Sequence, residues 1–493
     1  MAALAVLAGV VLAGEQSPSR APIDAQLEMV DGAPAVAGEV IVKFRRSLGD
    51  DERHQLHREL EAEDDKAIAG ATVRRFKSRR HKTPRLLSML RSHPDVAYAE
   101  PNYVVTSDAV PDDSWFGELW GMLNTGQRVG TPGTAGADIR ATQAWDISTG
   151  SRSTVIAVLD TGIDYFHSDL AANVWSAPAP FTVTVGGRTV TCPAGSHGFN
   201  VLTGTCDPFD ENGHGTHVSG TIGAVGNNRL GVTGVNWTTS IMVSKFLNVD
   251  GVGTLADAIN ALEFVLQATD RTGANVRVLS NSWRVGGFSQ ALLDQINRAA
   301  TRNMLFVASA GNSGTNNDLA PQYPASFNAA NLISVAATDN NDALASFSNY
   351  GAASVHLAAP GVNILSTTTG DGYQYSSGTS MAAPHVSGAA ALLLSACTLT
   401  ATELKAALLS NVDTVPLLAG RVSTGGRLNV NAAIRECSRP PDFSISAAPA
   451  TATATDGGAA TYTISIKAEA GFNRDVTLSA SGVPAGGTAS FSP

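Results

Sequence analysis

The sequence predicts an α/β fold, a mostly parallel sheet flanked by helices, and two patterns point to it. Residues 155–159, 241–243, 276–279, 304–308 and 332–336 are continuous apolar runs, the pattern of strands covered on both faces. Between them, residues 255–269 and 290–302 space their apolar side chains three and four apart, as helices do. Strands alternating with helices give a parallel sheet with helices on both sides. In such sheets reactive residues collect at the carboxyl ends of the strands, and Asp160 closes the first of these runs.

Two smaller units flank this region. Residues 36–106 open on an apolar run at 39–44, pass through a charge-rich helical stretch at 52–63 and end on a second run at 96–103, which predicts a small α+β unit. After a Pro-containing linker at 438–442, residues 443–446, 461–466 and 475–479 alternate apolar and polar, like half-buried strands of a β-sandwich. Such a sandwich needs about 100 residues. The segment 442–493 is therefore expected to be a partial, Ig-like domain.

With 493 residues, 43% apolar and 15% charged, the chain has material for a large core in several domains. Within residues 1–22, the first fourteen are small and apolar like a signal peptide, although no positive charge opens them. No other apolar run approaches the roughly 18 residues of a membrane span. A secreted protein without a membrane anchor is expected. Residues 36–106 hold 14 Lys and Arg against 11 Asp and Glu, and residues 107–493 hold 18 against 28, so the two parts carry opposite charge and favour association. The basic stretch 74–82 is diluted by acidic residues elsewhere in its unit and reads as a solvated face, with no nucleic-acid partner. Four cysteines suit an oxidising compartment and allow three pairings. In the nearest-neighbour one, Cys192–Cys206 and Cys397–Cys437, chain entropy assigns about 3 kcal/mol to the shorter loop and about 4 kcal/mol to the longer.

Three short strings carry chemistry: Asp160-Thr-Gly-Ile-Asp, His214-Gly-Thr-His-Val and Gly378-Thr-Ser380-Met-Ala-Ala-Pro. They supply a carboxylate, an imidazole and a hydroxyl. A Ser hydroxyl needs a base to take its proton, and that base needs a carboxylate to fix its tautomer. Each string alone has a plainer reading: Asp160 as a turn cap, His217 as a packed core histidine, Ser380 as a helix start. A zinc site on His214 and His217 lacks the H-E-x-x-H pattern and its Glu. Ser380 opens an Ala-rich segment, apolar almost all round, that predicts a buried central helix ending near Ala396, with Pro384 in or near its first turn.

The order Asp, His, Ser with these flanks resembles the subtilisin-like serine peptidases, the subtilases, over residues 111–437. The resemblance implies a serine endopeptidase acting on protein or peptide substrates, with Ser380 as nucleophile, His214 as base and Asp160 orienting it. It makes Asn312, otherwise a turn residue of Ala310-Gly311-Asn312-Ser-Gly, an oxyanion donor beside the Ser380 amide. It lines the substrate cleft with Ser282, Trp283 and Arg284 on one side and Gly251, Val252 and Gly253 on the other, with Ala310 and Gly311 nearby. A Gly is usual in the family where Arg284 stands. Residues 36–106 are similar to the family's propeptide, a folding aid whose tail blocks the active site and is cut between about 106 and 112. The resemblance also implies a structural Ca²⁺ held by Asp113, Asp169, Asn228 and the carbonyls of Val225, Leu230 and Val232. Two other classes fit the sequence less well. An α/β-hydrolase esterase needs G-x-S-x-G with the order Ser, acid, His, whereas Ala382 replaces its last Gly here. A secreted adhesion protein with a decayed peptidase domain predicts a missing triad member, and none is missing.

Overall fold

The computed structural model describes residues 26–30, 33–105, 109–438, 442–449, 451–455, 457–469, 475–480, 483 and 486–492. The signal-like segment, the central residues of the expected linker (439–441) and residues 106–108 of the expected cleavage region lie outside these. Contacts divide the chain into two compact units between Ser107 and Asp108.

In the first unit, the long strand Ala33–Phe44 pairs antiparallel with Leu27–Val30, Val73–Ser78 and Val96–Tyr103, and Ala62–Ala69 pairs with Val73–Ser78. Alternate residues Val40, Val42 and Phe44 are buried with Phe76 and with Leu56, Leu86 and Leu90 of helices Asp50–Glu59 and Thr83–Arg91. The charge-rich helix stops at Glu59, short of the predicted 63, because Ala62–Ala69 is recruited into the sheet. The sheet also begins before residue 36, with Leu27–Val30 as its edge.

The second unit is built on a nine-stranded sheet. Numbered in chain order, its strands are β1 (Gly150–Asp160), β2 (Gly198–Asn200), β3 (Thr238–Lys245), β4 (Val276–Asn281), β5 (Leu305–Ser309), β6 (Leu332–Thr338), β7 (Leu357–Pro360), β8 (Asp413–Thr414) and β9 (Gly426–Arg427). The spatial order is β2-β3-β1-β4-β5-β6-β7-β9-β8, parallel throughout except for the final β8–β9 pair. All five predicted strands fall within it.

Four helices matter for the site: α1 (His214–Gly223), α2 (Leu255–Thr272), α3 (Gln290–Thr301) and α4 (Thr379–Ala396). Strand parity assigns their faces. Ile156 and Val158 of β1 pack in the core that holds α1 and α4, whereas Val155, Ala157 and Leu159 pack with α2 and α3. Helix α2 runs three residues beyond the predicted end. Thr254 caps its start in a reciprocal pairing with Asp257, and Gly273 ends it at φ 72°. Helix α4 is buried along nearly its whole length, as its composition predicts. No single described helix is long and apolar enough to cross a membrane.

Cys192 is bonded to Cys206 and Cys397 to Cys437. Beyond the second bridge, Asp442–Ala448 and Thr463–Glu469 form an antiparallel two-stranded ribbon. The third expected strand, 475–479, carries no strand pairing. Two strands expose both faces of the ribbon, so alternation alone overstates how many strands form when no second sheet covers them.

Two histidines of the core are held neutral. His217 and His385 are 0% and 1% exposed, and burial pushes each down to about 4, aided for His217 by the charge of nearby His214. His217 Nε2 donates to the Ile364 carbonyl at 3.0 Å, and His385 Nδ1 to the Met381 carbonyl at 2.8 Å. An unfolded histidine takes up its proton near 6.5, so the unfolded chain binds more protons below that pH. Their contribution is complete above 6.5 and fades as pH falls towards 4, by about 2 kcal/mol each at pH 5. The melting temperature of a Ser380→Ala protein, which cannot digest itself, is expected to fall between pH 7 and 5. His217→Gln should make that fall shallower.

Candidate active site

Asp160 shares parity with Ile156 and Val158, so its side chain faces the side of the sheet where α1 and α4 begin. It is 0% exposed, and its Oδ1 accepts from His214 Nδ1 at 2.7 Å and from the Thr161 amide at 2.7 Å. His214 is the first residue of α1. The helix is drawn against the loop after Asp160 by the Gly215 amide, which donates to Thr161 Oγ1 at 2.9 Å. A Cβ on Gly215 would lie 2.2 Å from the Gly162 carbonyl oxygen, so only glycine permits this approach. Asp210 holds the start of α1, accepting from the Thr216 amide and hydroxyl at 3.0 and 2.7 Å. Burial alone would lower the His214 pKa, but the charge and hydrogen bond of Asp160, with Asp210 behind, outweigh it and hold the imidazole above 6.5.

Ser380 is the second residue of α4. Its hydroxyl donates to the Ser282 carbonyl at 3.2 Å and, among the described contacts, makes no hydrogen bond to His214. Resting serine hydroxyls commonly sit off the productive geometry, and a turn about the Cα–Cβ bond redirects the oxygen. Pro384 is the sixth residue of α4, just past its first turn. Proline has no N–H for the carbonyl four residues earlier, which is that of Ser380. Ser282 Oγ fills the gap, donating to the Ser380 carbonyl at 2.9 Å. Ser282 and Ser380 are thus tied in both directions.

Asn312 follows the carboxyl end of β5. Its Oδ1 accepts from the Thr379 amide and hydroxyl, both at 2.8 Å, which fixes the amide plane and leaves Nδ2 free to donate. A Cβ on Gly378 would lie 3.4 Å from Asn312 Nδ2 and 3.5 Å from the Ser380 amide nitrogen, so both donors border one small space. The Ser380 amide is also one of the first-turn N–H groups of α4, unclaimed by the helix and at its positive end.

His214, Ser380 and Asn312 line a cavity of about 460 Å³. Gly251, Val252, Gly253, Ser282, Trp283, Arg284 and Gly311 line it with them. It opens over the carboxyl ends of β3, β1, β4 and β5, where the fold class puts reactive groups. Ala310 is fully buried behind the wall, its amide donating to the Val335 carbonyl at 2.9 Å. Asp160 lies behind His214 and does not reach the cavity.

The residues assigned to a cation also meet. Asp169 Oδ1 accepts from Asn228 Nδ2 at 2.7 Å, and its Oδ2 from the Val232 amide at 3.0 Å and the Tyr373 hydroxyl at 3.2 Å. Asp113 Oδ2 accepts from the Asn227 amide at 2.7 Å, while its Oδ1 is buried without a partner. Burial, then the charge of Asp169, push Asp113 up to about 6, and burial raises Asp169 too. Two buried carboxylates that raise each other's cost of ionisation are what a divalent cation relieves. The carbonyls of Val225, Leu230 and Val232 accept no described hydrogen bond and suit Ca²⁺, which takes carbonyl as well as carboxylate oxygens. Asn228 departs from the expected ligand pose: its Oδ1 accepts from the Leu230 amide at 2.8 Å, and its NH₂ faces Asp169.

Sequence reading missed Thr379, which orients Asn312, and Asp210, which anchors α1. It also missed Lys245, which is 2% exposed, pairs in register with Asp160, and donates to Glu211 at 2.7 Å and to the Thr161 carbonyl at 2.5 Å.

The sequence profile of the Subtilase family matches residues 151–434, and that of the fervidolysin N-terminal prodomain matches residues 22–102. A thermophilic serine proteinase of Bacillus sp. (strain AK1) is 34% identical over 365 residues, 73% of this chain and 78% of the relative. Thermitase of Thermoactinomyces vulgaris is 37% identical over 297 residues, 60% of this chain and 94% of the relative. An extracellular protease of Xanthomonas campestris is 32% identical over 374 residues, 71% of this chain and 61% of the relative. A solved protease structure from Pseudoalteromonas arctica PAMC 21717 superposes with a TM-score of 0.54 at 27% identity, covering 66% of this chain and 99% of that one. The chain belongs to the subtilase family of serine peptidases and carries a fervidolysin-like prodomain.

Proposed function

We propose that this subtilase is a secreted endopeptidase, made as a precursor that cuts itself and stabilised by calcium. The observation that carries the catalytic reading is the 2.7 Å bond from buried Asp160 to Nδ1 of His214, which lines a cavity together with Ser380 and with an Asn312 amide whose orientation is already fixed. A peptide lies in the cleft between residues 251–253 and 282–284. Ser380 Oγ turns from the Ser282 carbonyl to His214 Nε2, gives up its proton there and attacks the carbonyl carbon. Asn312 Nδ2 and the Ser380 amide receive the developing oxyanion. His214 returns the proton to the leaving amine, and water releases the acyl group by the same steps in reverse. Throughout, Asp160 keeps the Nδ1 proton in place and stabilises the imidazolium. Secretion is supported by the two disulfides and by the extracellular protease among the relatives.

The prodomain supports the zymogen reading: its tail acts as a product-like inhibitor, and the first bond cut lies between about residues 106 and 112. Wild type, expressed without other peptidases, should separate into two pieces, whereas Ser380→Ala should remain one chain. N-terminal sequencing of both checks this, and processing of the variant at the same bond and rate would require an external peptidase.

Asp113, Asp169 and the three loop carbonyls would hold the Ca²⁺, joined by Asn228 once its side-chain amide turns its oxygen to the ion, which supplies charge compensation and ties residue 113 to the 225–232 loop. At a concentration about 100 times the dissociation constant, a ligand adds about 2.7 kcal/mol of stability. Moving Ser380→Ala protein from calcium into excess chelator is therefore expected to lower its melting temperature by about 4 °C. In Asp113→Asn the difference should shrink, and an unchanged melting temperature in chelator would reject the site.

A further inference from the structure

The cleft holds one fixed charge. Apart from His214, Arg284 is the only ionisable residue among the described residues lining the cavity, and no carboxylate lines it. Arg284 is exposed and has no hydrogen-bond or ion-pair partner among the described residues. Some arginines of this unit are paired, Arg298 with Glu263, Arg302 with Asp270 and Arg427 with Asp342 and Asp413, and what sets Arg284 apart from the others is its place in the cavity wall. An unpaired guanidinium in a concave wall offers five N–H donors in the planar fork that matches a carboxylate.

Its position relates it to the reacting bond. The Ser282 carbonyl is 3.2 Å from Ser380 Oγ, and from there the chain runs to Val285, which bridges antiparallel to Tyr323. Extended backbone advances about 3.3 Å per residue, so Arg284 stands about 7 Å along the wall from the nucleophile. A peptide laid along that wall brings the residues just before its scissile bond past Arg284. Residues 107–493 as a whole are acidic, with 18 Lys and Arg against 28 Asp and Glu. The long-range field of the unit therefore does not attract acidic substrates, and a preference for them has to come from the cleft itself.

We infer that Arg284 sets a preference for peptides carrying Asp or Glu within the three residues before the scissile bond, and disfavours Lys and Arg there. This rests on the peptidase reading above. The carboxylate meets the guanidinium as substrate covers the wall, while a substrate cation is repelled, so attraction and rejection act together.

The test uses self-processed enzyme from the full chain and internally quenched peptides in which Glu, Gln or Lys occupies each of the three positions in turn. The readout is the ratio of kcat/KM for the Glu peptide to that for the Lys peptide within each enzyme, so differences in total activity cancel. Wild type should favour Glu by about fivefold or more at one position in low salt, the upper end for a single exposed charge pair. The ratio should fall towards one in 1 M salt, where screening shortens to about 3 Å. Arg284→Gln should bring it near one, and Arg284→Glu should invert it. Equal ratios in wild type and Arg284→Gln would overturn the inference. Absence of cleavage of every peptide, the neutral Gln series included, would instead overturn the peptidase reading on which it rests.

Discussion

The hydrogen bond between Asp160 and His214 is the contact on which the rest of the catalytic unit depends. It requires a charged carboxylate at 0% exposure, a costly arrangement unless each approach to it is supported. Strand parity delivers the carboxylate to the correct side of the sheet. Gly215 lets α1 come close enough for the imidazole to reach it, and Asp210 and Thr161 hold the two backbones in place. Lys245, buried beside β1, donates to the Thr161 carbonyl and further pins the loop that follows Asp160. The small residues around the motifs are thus a packing requirement: a methyl group at Gly215 would push base and carboxylate apart.

The second constraint is the start of α4. One helix terminus carries Ser380, leaves its amide unclaimed and, through Thr379, anchors the Asn312 side chain. Pro384 extends this logic. By withholding an N–H from the Ser380 carbonyl it creates a vacant acceptor, which Ser282 Oγ takes, so a helix defect becomes the joint between Ser380 and the cleft wall. The same wall leads, two residues on, to Arg284.

Much of this was legible in the sequence. The buried strands announce themselves because both faces of a parallel sheet are covered, and residues 155–159 or 304–308 have no polar interruption. The strings around Asp160, His214 and Ser380 stand out because a hydroxyl, a base and a carboxylate recur there in small-residue settings, and two of the three side chains meet. What the sequence hid was decided by partners distant along the chain. The first unit's helix ends at Glu59 because residues 62–69 pair with 73–78. The Ser380 hydroxyl points to Ser282, 98 residues away, and Asn228 turns its amide to Asp169, 59 residues away. Propensity and periodicity carry no information about such choices between hydrogen-bond partners. In the C-terminal segment, residues 475–479 alternate like a strand yet pair with no strand among the described residues.

The pH dependence of kcat/KM in wild type and in Asp160→Asn tests the central claim most directly. In wild type the acid limb reports His214 losing its proton, and it should lie above 6.5 because Asp160 holds the imidazolium. An Asn in place of Asp160 keeps the size but removes the charge and favours the wrong tautomer. Activity should then fall by about 10⁴, and the limb should move to lower pH as burial is left unopposed. A variant with near-normal activity and an unmoved acid limb would contradict the account, because His214 would then owe neither its tautomer nor its basicity to the carboxylate behind it.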